Sequence, residues 1–421
     1  MRSRLAALGR RSRSPRAVIF AVLAVVAASS TVAYAAPSSA AGTVRARAAT
    51  VPPVTYHGGP VLHSSGVFAI FWVPPGYALP DGYAQTVTQY FTDIAHDSFL
   101  PSNVFGADTQ YYDVTKGVKK FASYSVVLRG SNVDTHAFPK SGCPNYVLDT
   151  KAGSKSKVCL TDAQVQAEVK SVITSHSLPT GLGNEYFLFT PPGVANCKAS
   201  KPAHTRGCFD PIQQDGYCAY HSHVSVSSSA VLYAMLPYEA STGVCWSGQS
   251  PNGNDGDSAV NTASHEQNES ITDPLGTGWY DSAGNEIGDK CHLVFGGAVG
   301  AAKPGRMYNQ VINGHGYWIQ EVWSNRARAC VQRNTFPQPS VSFAFSPTAP
   351  VHGKKIKFAS SVSEAGEKTF AYRWTFPDGG SASAANPTHN FAKPVFVGIV
   401  TLIVTDVHGD QTRVTKAITV T

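Results

Sequence analysis

The chain is expected to fold as a mixed α/β domain followed by a smaller β-sandwich. Up to about residue 337, apolar runs of strand length alternate with stretches of helical periodicity. From Gln338 onward the pattern changes to short apolar–polar alternation broken by turn residues. All eight cysteines precede that change, as befits a disulfide-bonded first domain.

Residues 1–35 read as an export signal. Arg2, Arg4, Arg10, Arg11, Arg13 and Arg16 form a basic stretch, and Ala17 to Ala28 is an apolar run too short to span a bilayer comfortably. Ala33-Tyr34-Ala35 supplies a small-residue cleavage site. Residues 36–53, rich in Ala, Ser and Pro, read as a linker. The mature chain is therefore expected to be secreted, extracellular and free of stable membrane insertion. Six of the 34 basic residues and none of the 27 acidic ones lie in residues 1–35, so the mature balance is +1. The basicity belongs to the signal and points to no nucleic-acid partner.

Residues 54–337 should form the first domain. Gly66 to Val73 is a continuous apolar run, read as a buried strand. Tyr83, Val87, Tyr90, Phe91 and Ile94 recur at helical spacing and predict a helix over Asp81 to His96. Phe121 to Leu128 reads as a strand. Thr161-Asp162 caps a helix carrying Val165, Val169, Val172 and Ile173. Tyr186 to Thr190 is another strand, and Val224 to Leu236 holds one or two more. A helix is expected over Asp257 to Thr272, capped by Asp255 or Asp257 and stopped at Asp273-Pro274. For the cysteines, nearest-neighbour pairing is favoured: Cys143–Cys159, Cys197–Cys208, Cys218–Cys245 and Cys291–Cys330. Each such loop is worth roughly 2–4 kcal/mol.

The last of these helices carries the chemistry. In Ser264-His265-Glu266-Gln267-Asn268-Glu269, His265 and Glu269 are four apart and share a helical face. This HExxE pattern follows the logic of HExxH metallopeptidases, with a carboxylate replacing the second imidazole. Two ligand-type side chains would hold zinc or another divalent cation, and Glu266 would act as general base on an activated water. Glu266, Glu269 and Asp273 crowd the end of one short helix, an arrangement that a cation would offset. Position 275 is Leu275, which excludes the metzincin spacing for a third ligand. Glu286 is the first choice for that ligand and Asp289 the second. One histidine with two carboxylates is an oxygen-rich set that also suits calcium or manganese. In Cys218-Ala219-Tyr220-His221-Ser222-His223 the two histidines share a strand face, and His221 is a second catalytic candidate, as ligand or transition-state donor. His57 and His292 read as structural or exposed.

From Gln338 the strands Val341 to Phe345, Ile356 to Phe358 and Val400 to Val404 read as those of a sandwich. Tyr372-Arg373-Trp374-Thr375-Phe376-Pro377-Asp378-Gly379-Gly380, Pro387-Thr388-His389-Asn390-Phe391 and Val404-Thr405-Asp406-Val407-His408-Gly409 resemble the PKD domain family. The resemblance implies a non-catalytic, immunoglobulin-like module over residues 338–421, and with it adhesion or substrate targeting.

Residues 56–323 resemble the EXORDIUM or phosphate-induced secreted protein family. The resemblance rests on Tyr56-His57-Gly58-Gly59-Pro60-Val61-Leu62, Cys218-Ala219-Tyr220-His221, Ser264 to Glu269, and Thr272-Asp273-Pro274 with Gly278-Trp279-Tyr280. Glu286-Ile287-Gly288-Asp289-Lys290-Cys291 and Gln320-Glu321-Val322-Trp323 complete the ordered series. It implies a secreted wall- or apoplast-type protein, with His221, His265, Glu266, Glu269 and Glu286 at motif positions. It does not imply a settled activity. Gln267-Asn268 replaces the family's small apolar pair and predicts a helix that packs less deeply. Two functions are therefore expected to compete. The first is a zincin-like, metal-dependent hydrolase, most readily a peptidase acting on extracellular protein. The second is a non-catalytic binding protein associated with a cell-wall polymer, with a structural metal or none.

Overall fold

Alternate residues of strand β1, Ser65–Trp72, enter two different cores, and this explains its unbroken apolar run. Val67, Ala69 and Phe71 face one side, and Phe68, Ile70 and Trp72 the other. The computed structural model describes residues 51–143, 157–198, 208–209, 217–240 and 245–421. The expected export signal, residues 1–35, and most of the expected linker lie outside these residues.

Around β1 the first domain builds a five-stranded sheet. Its other strands are β2 (Val126–Asp134), β3 (Asn184–Phe189), β4 (Tyr220–Val226) and β5 (Ser229–Leu236), in the spatial order β4-β5-β3-β1-β2. β2, β1, β3 and β5 run parallel, while β4 returns antiparallel to β5 and forms one edge. Helices α1 (Tyr83–His96) and α3 (Gly256–Thr272) cover one face, burying Tyr83, Val87, Phe91, Val260 and Ala263. Helix α2 (Asp162–Ser175) covers the other with Val165, Val169, Val172 and Ile173. Its capping box is complete: Gln164 N–H donates to the Thr161 hydroxyl at 3.3 Å, and Thr161 N–H donates to Gln164 Oε1 at 2.9 Å.

The expected strand over Phe121 to Leu128 is divided. Val118–Phe121 closes a hairpin with Tyr112–Thr115, residues 122–125 turn inward, and the sheet strand starts at Val126. It continues through Arg129, Ser131 and Asn132, whose polarity hid it, because it is the other edge strand and is largely exposed. The four disulfides join Cys143–Cys159, Cys197–Cys208, Cys218–Cys245 and Cys291–Cys330.

The C-terminal domain is a sandwich of two antiparallel sheets. One contains β6 (Ser340–Ser346) and β7 (Ile356–Ser363); the other contains β8 (Ala371–Thr375), β9 (Val395–Thr405) and β10 (Gln411–Val420). Phe343, Phe358, Trp374, Phe376, Phe391 and Leu402 fill the space between. The two domains belong to one compact unit, residues 51–421. Asp410 takes the Arg326 guanidinium and the Asn334 amide, and Gln411 bonds Ser123 and the Ala122 carbonyl at 2.9 and 3.0 Å. Gly409, at φ +92°, lies so near the first domain that a Cβ would stand 2.0 Å from the Thr109 carbonyl oxygen.

Candidate functional site

Helix α3 forms the floor of the candidate site. It is polar by sequence yet buried: of its 17 residues, His265 alone is not buried. The shallower packing expected from Gln267-Asn268 is not what forms, because both side chains are wholly enclosed. Their amides find internal partners, Asn268 donating to the Ser264 carbonyl at 2.6 Å and Gln267 facing the Ser65 hydroxyl. Asp255 occupies the N-cap position without a side-chain cap bond, while the Asp257 carboxylate accepts the Asn252 and Gly253 N–H groups. At the other end Asp273 accepts the Thr277 and Gly278 N–H groups, so it anchors the following turn.

His265 Nε2 lies 3.1 Å from Glu269 Oε1 and 3.7 Å from Asp289 Oδ1. His221, on edge strand β4, brings Nε2 to 3.1 Å from Glu286 and 3.8 Å from Glu269. Of the two third-ligand choices, Asp289 approaches His265, and Glu286 has His221 as its partner. The segment carrying both folds as a turn leading into a single 3-10 turn, Asp289–Cys291. Its backbone presses against the helix, with Asp289 N–H donating to Glu269 Oε1 at 2.9 Å. A Cβ on Gly288 would meet Glu269 Oε1 at 2.8 Å and His265 Nδ1 at 2.9 Å, so no side chain fits there.

Two groups of donor atoms each fall within 4.8 Å of one another: His265, Glu269 and Asp289, and His221, Glu266 and Glu269. Glu286 Oε1 and His221 Nδ1 are buried without a hydrogen-bond partner. Converging imidazole and carboxylate donors with unused valences fit a divalent cation. Burial pushes Glu266 up to about 7, with Glu269 adding to it and His265 opposing. Burial also lifts Glu286 to about 7 against the pull of His221. For His221 burial works against charge, but Glu286, Glu266 and Glu269 outweigh it and raise the ring to about 10. His265 is likewise held well above the usual histidine range, burial being outweighed chiefly by Glu269. Glu269 ends below its ordinary value, because both imidazoles and the Asp289 N–H outweigh its burial.

The cleft above this floor has two halves, about 300 and 460 Å³, which meet at Tyr217, Ala219, His265, Glu266 and Asp289. Tyr220, His221, Ser222 and His223 all line the larger half, so it runs along the side of β4 that has no strand partner among the described residues. His292 is exposed and lines the smaller half, whereas His57 stacks on Tyr280 far along the chain.

Sequence reasoning gave no role to two residues beside the site. Gln320 is buried and its amide bridges His265 Nδ1 and the Gly288 carbonyl, both at 2.9 Å. Glu239 is fully buried, its carboxyl held well above the usual range by burial, against Thr262 and near Glu266. The signal for Glu239 was an acid just beyond the apolar strand β5, after Pro237 and Tyr238. For Gln320 it was only its place in the Gln320-Glu321-Val322-Trp323 segment of the family resemblance, since its contact with His265 spans 55 residues.

Residues 337–421 match the PKD domain family. They form a PKD domain. PKD domains and disulfides are typical of extracellular proteins, and among the described residues no helix is long and apolar enough to cross a membrane. No curated protein sequence matches the chain. Among solved structures, carbohydrate-binding modules of the β-sandwich superfamily are 30% identical over 20% of this chain, with a TM-score of 0.20. The chain spans about a third, 35%, of that structure's length. The PKD1 domain of the Vibrio cholerae metalloprotease PrtV is 27% identical over 20% of this chain and 98% of its own, with a TM-score of 0.18. Wild-type OgpA from Akkermansia muciniphila is 9% identical over 86% of this chain and 93% of its own, with a TM-score of 0.20. TM-scores this low establish no shared fold for the region preceding the PKD domain.

Proposed function

We propose that residues 54–337 form a secreted, zincin-like, metal-dependent hydrolase, most readily a peptidase, with the PKD domain as its non-catalytic companion. One observation carries this reading: Asp289 and His221 converge on the His265–Glu269 turn, beside Glu266, in the floor of an open cleft. His265, Glu269 and Asp289 would hold zinc or another divalent cation, with His221 and Glu286 as a bonded pair at its side. When bound, such a cation supplies Lewis-acid polarisation of a carbonyl and acidifies water in the cleft. Glu266, beside the ligands, would take up a proton as general base and return it to a leaving amine. His221, close to Glu266 and Glu269, can donate to a developing oxyanion. The edge of β4 without a strand partner among the described residues favours a peptide substrate, because an extended chain laid along it gains main-chain hydrogen bonds. The resemblance of residues 56–323 to the EXORDIUM family supports secretion and leaves the reaction open.

The test is elemental analysis of the purified protein together with Glu266→Gln. About one equivalent of metal is expected in both, and the variant should lose hydrolysis of unfolded protein by roughly 10²–10⁴-fold. Wild-type protein without stoichiometric metal would overturn the reading.

A further inference from the structure

A second cavity, of about 220 Å³, lies where the two domains meet, away from α3. The first domain contributes His63, Lys120 and Ser123 to its wall, and the PKD domain contributes Tyr372, Arg373 and Gln411. No aspartate or glutamate is among its lining residues. Among the described residues, no carboxylate comes within 4.0 Å of Lys120 or Arg373, although both are long cations with reach. Asp113 faces Lys120 across the Tyr112–Phe121 hairpin; its Oδ2 is bonded by His63 Nε2 at 3.0 Å, and its Oδ1 is buried without a hydrogen-bond partner among the described residues.

Arg373 is exposed as a residue, yet its guanidinium loses enough water in the cleft to be pushed below the usual arginine range, with no anion offsetting the loss. Its side chain lies on the same outer row of the sheet as Ile403 and Arg413, and both guanidiniums approach the Phe99 ring, at 6.0 and 5.3 Å. Holding the Arg373 guanidinium partly out of water without a directly paired anion is unfavourable. Ser123 and Gln411 also line the cleft, bonded to one another and, through the Gln411 amide, to the Ala122 carbonyl.

We propose that this interdomain cleft binds a small oxyanion, a carboxylate, sulfate or phosphate group, between Lys120 of the first domain and Arg373 of the PKD domain. The anion would bridge the domains directly, adding charge-assisted contacts to an interface otherwise held by Asp410 and Gln411. The Tyr372 and Thr405 hydroxyl-bearing side chains, which also line the cleft, favour an anion carried on a hydroxylated molecule such as a sugar acid.

Isothermal titration of the mature full-length chain with inorganic sulfate, glucuronate and neutral glucose tests this. Sulfate and glucuronate should bind saturably and glucose should not. Tighter binding of glucuronate identifies a sugar acid, and equal binding identifies the oxyanion alone. Lys120→Gln with Arg373→Gln should weaken binding at least tenfold while thermal unfolding without ligand stays unchanged, and Glu266→Gln should leave it intact. Absence of saturable binding to the wild type, or equal affinity in the double variant, would overturn the proposal. Neither result depends on hydrolysis at α3.

Discussion

Gly288 sets how closely the turn carrying Glu286 and Asp289 can approach His265 and Glu269. Gly288→Ala must push either the turn or the helix away, because its Cβ would stand 2.8–2.9 Å from atoms of both side chains. The expected cost is about 1–3 kcal/mol of stability, read as a lower melting temperature, together with at least tenfold weaker metal binding in a chelator competition. Unaltered metal affinity would show that Asp289 takes no part in holding the cation. At this scale the sequence was informative where spacing was local. His265 and Glu269 share a helical face by their numbers alone, and Glu286 to Asp289 could be picked out as the next cluster of ligand-type residues. Which of the two acids meets His265 was not legible, since that depends on the path of a turn around a residue without a side chain. Gln320 and Glu239 reach the site through tertiary folding, so their local sequence did not show what they would touch.

Among the elements, α3 packs more deeply than its Gln267-Asn268 pair predicted. Those two side chains, with Thr262 and Thr272, bond to the helix itself and to β1 and remain enclosed. The apolar strands β1, β3 and β5 and helices α1 and α2 were readable because periodicity reports burial directly. The turn that carries the candidate ligands is held by a buried ion pair, Lys290 with Asp281 at 2.9 Å, both almost fully enclosed. Burial pushes Asp281 up, but Lys290 and the Asn285 and Ala283 N–H groups outweigh it and hold the carboxyl far below its ordinary value. Asp281→Asn would strand a buried ammonium and is expected to cost about 3–5 kcal/mol. Denaturant unfolding measures this, and a loss below 1 kcal/mol would mean that Lys290 finds another partner.

For the whole molecule, the crowded site makes the metal-free protein sensitive to alkali. Glu266 and Glu286 ionise near 4.5 when unfolded but near 7 when folded, so the fold is increasingly penalised between those values. His221, raised from 6.5 to about 10, contributes stability that is complete below pH 6.5 and lost as pH rises through 10. All three act in one direction. Metal-free protein should therefore melt at a lower temperature at pH 9 than at pH 5.5, and excess zinc should narrow the difference by replacing the protons. Calorimetry that showed the metal-free protein equally stable at both values would contradict this electrostatic balance.

Two disulfides flank the site. Cys218, three residues before His221, is tied to Cys245, and Cys291, two residues after Asp289, is tied to Cys330. Both of the loop- or edge-borne groups that complete the helix pair are thus fixed by bonds that thiol reductants in a cytoplasm would keep open. Reduction of these two bonds is therefore expected to loosen His221 and Asp289, while His265 and Glu269, four apart on one helix, keep their shared face.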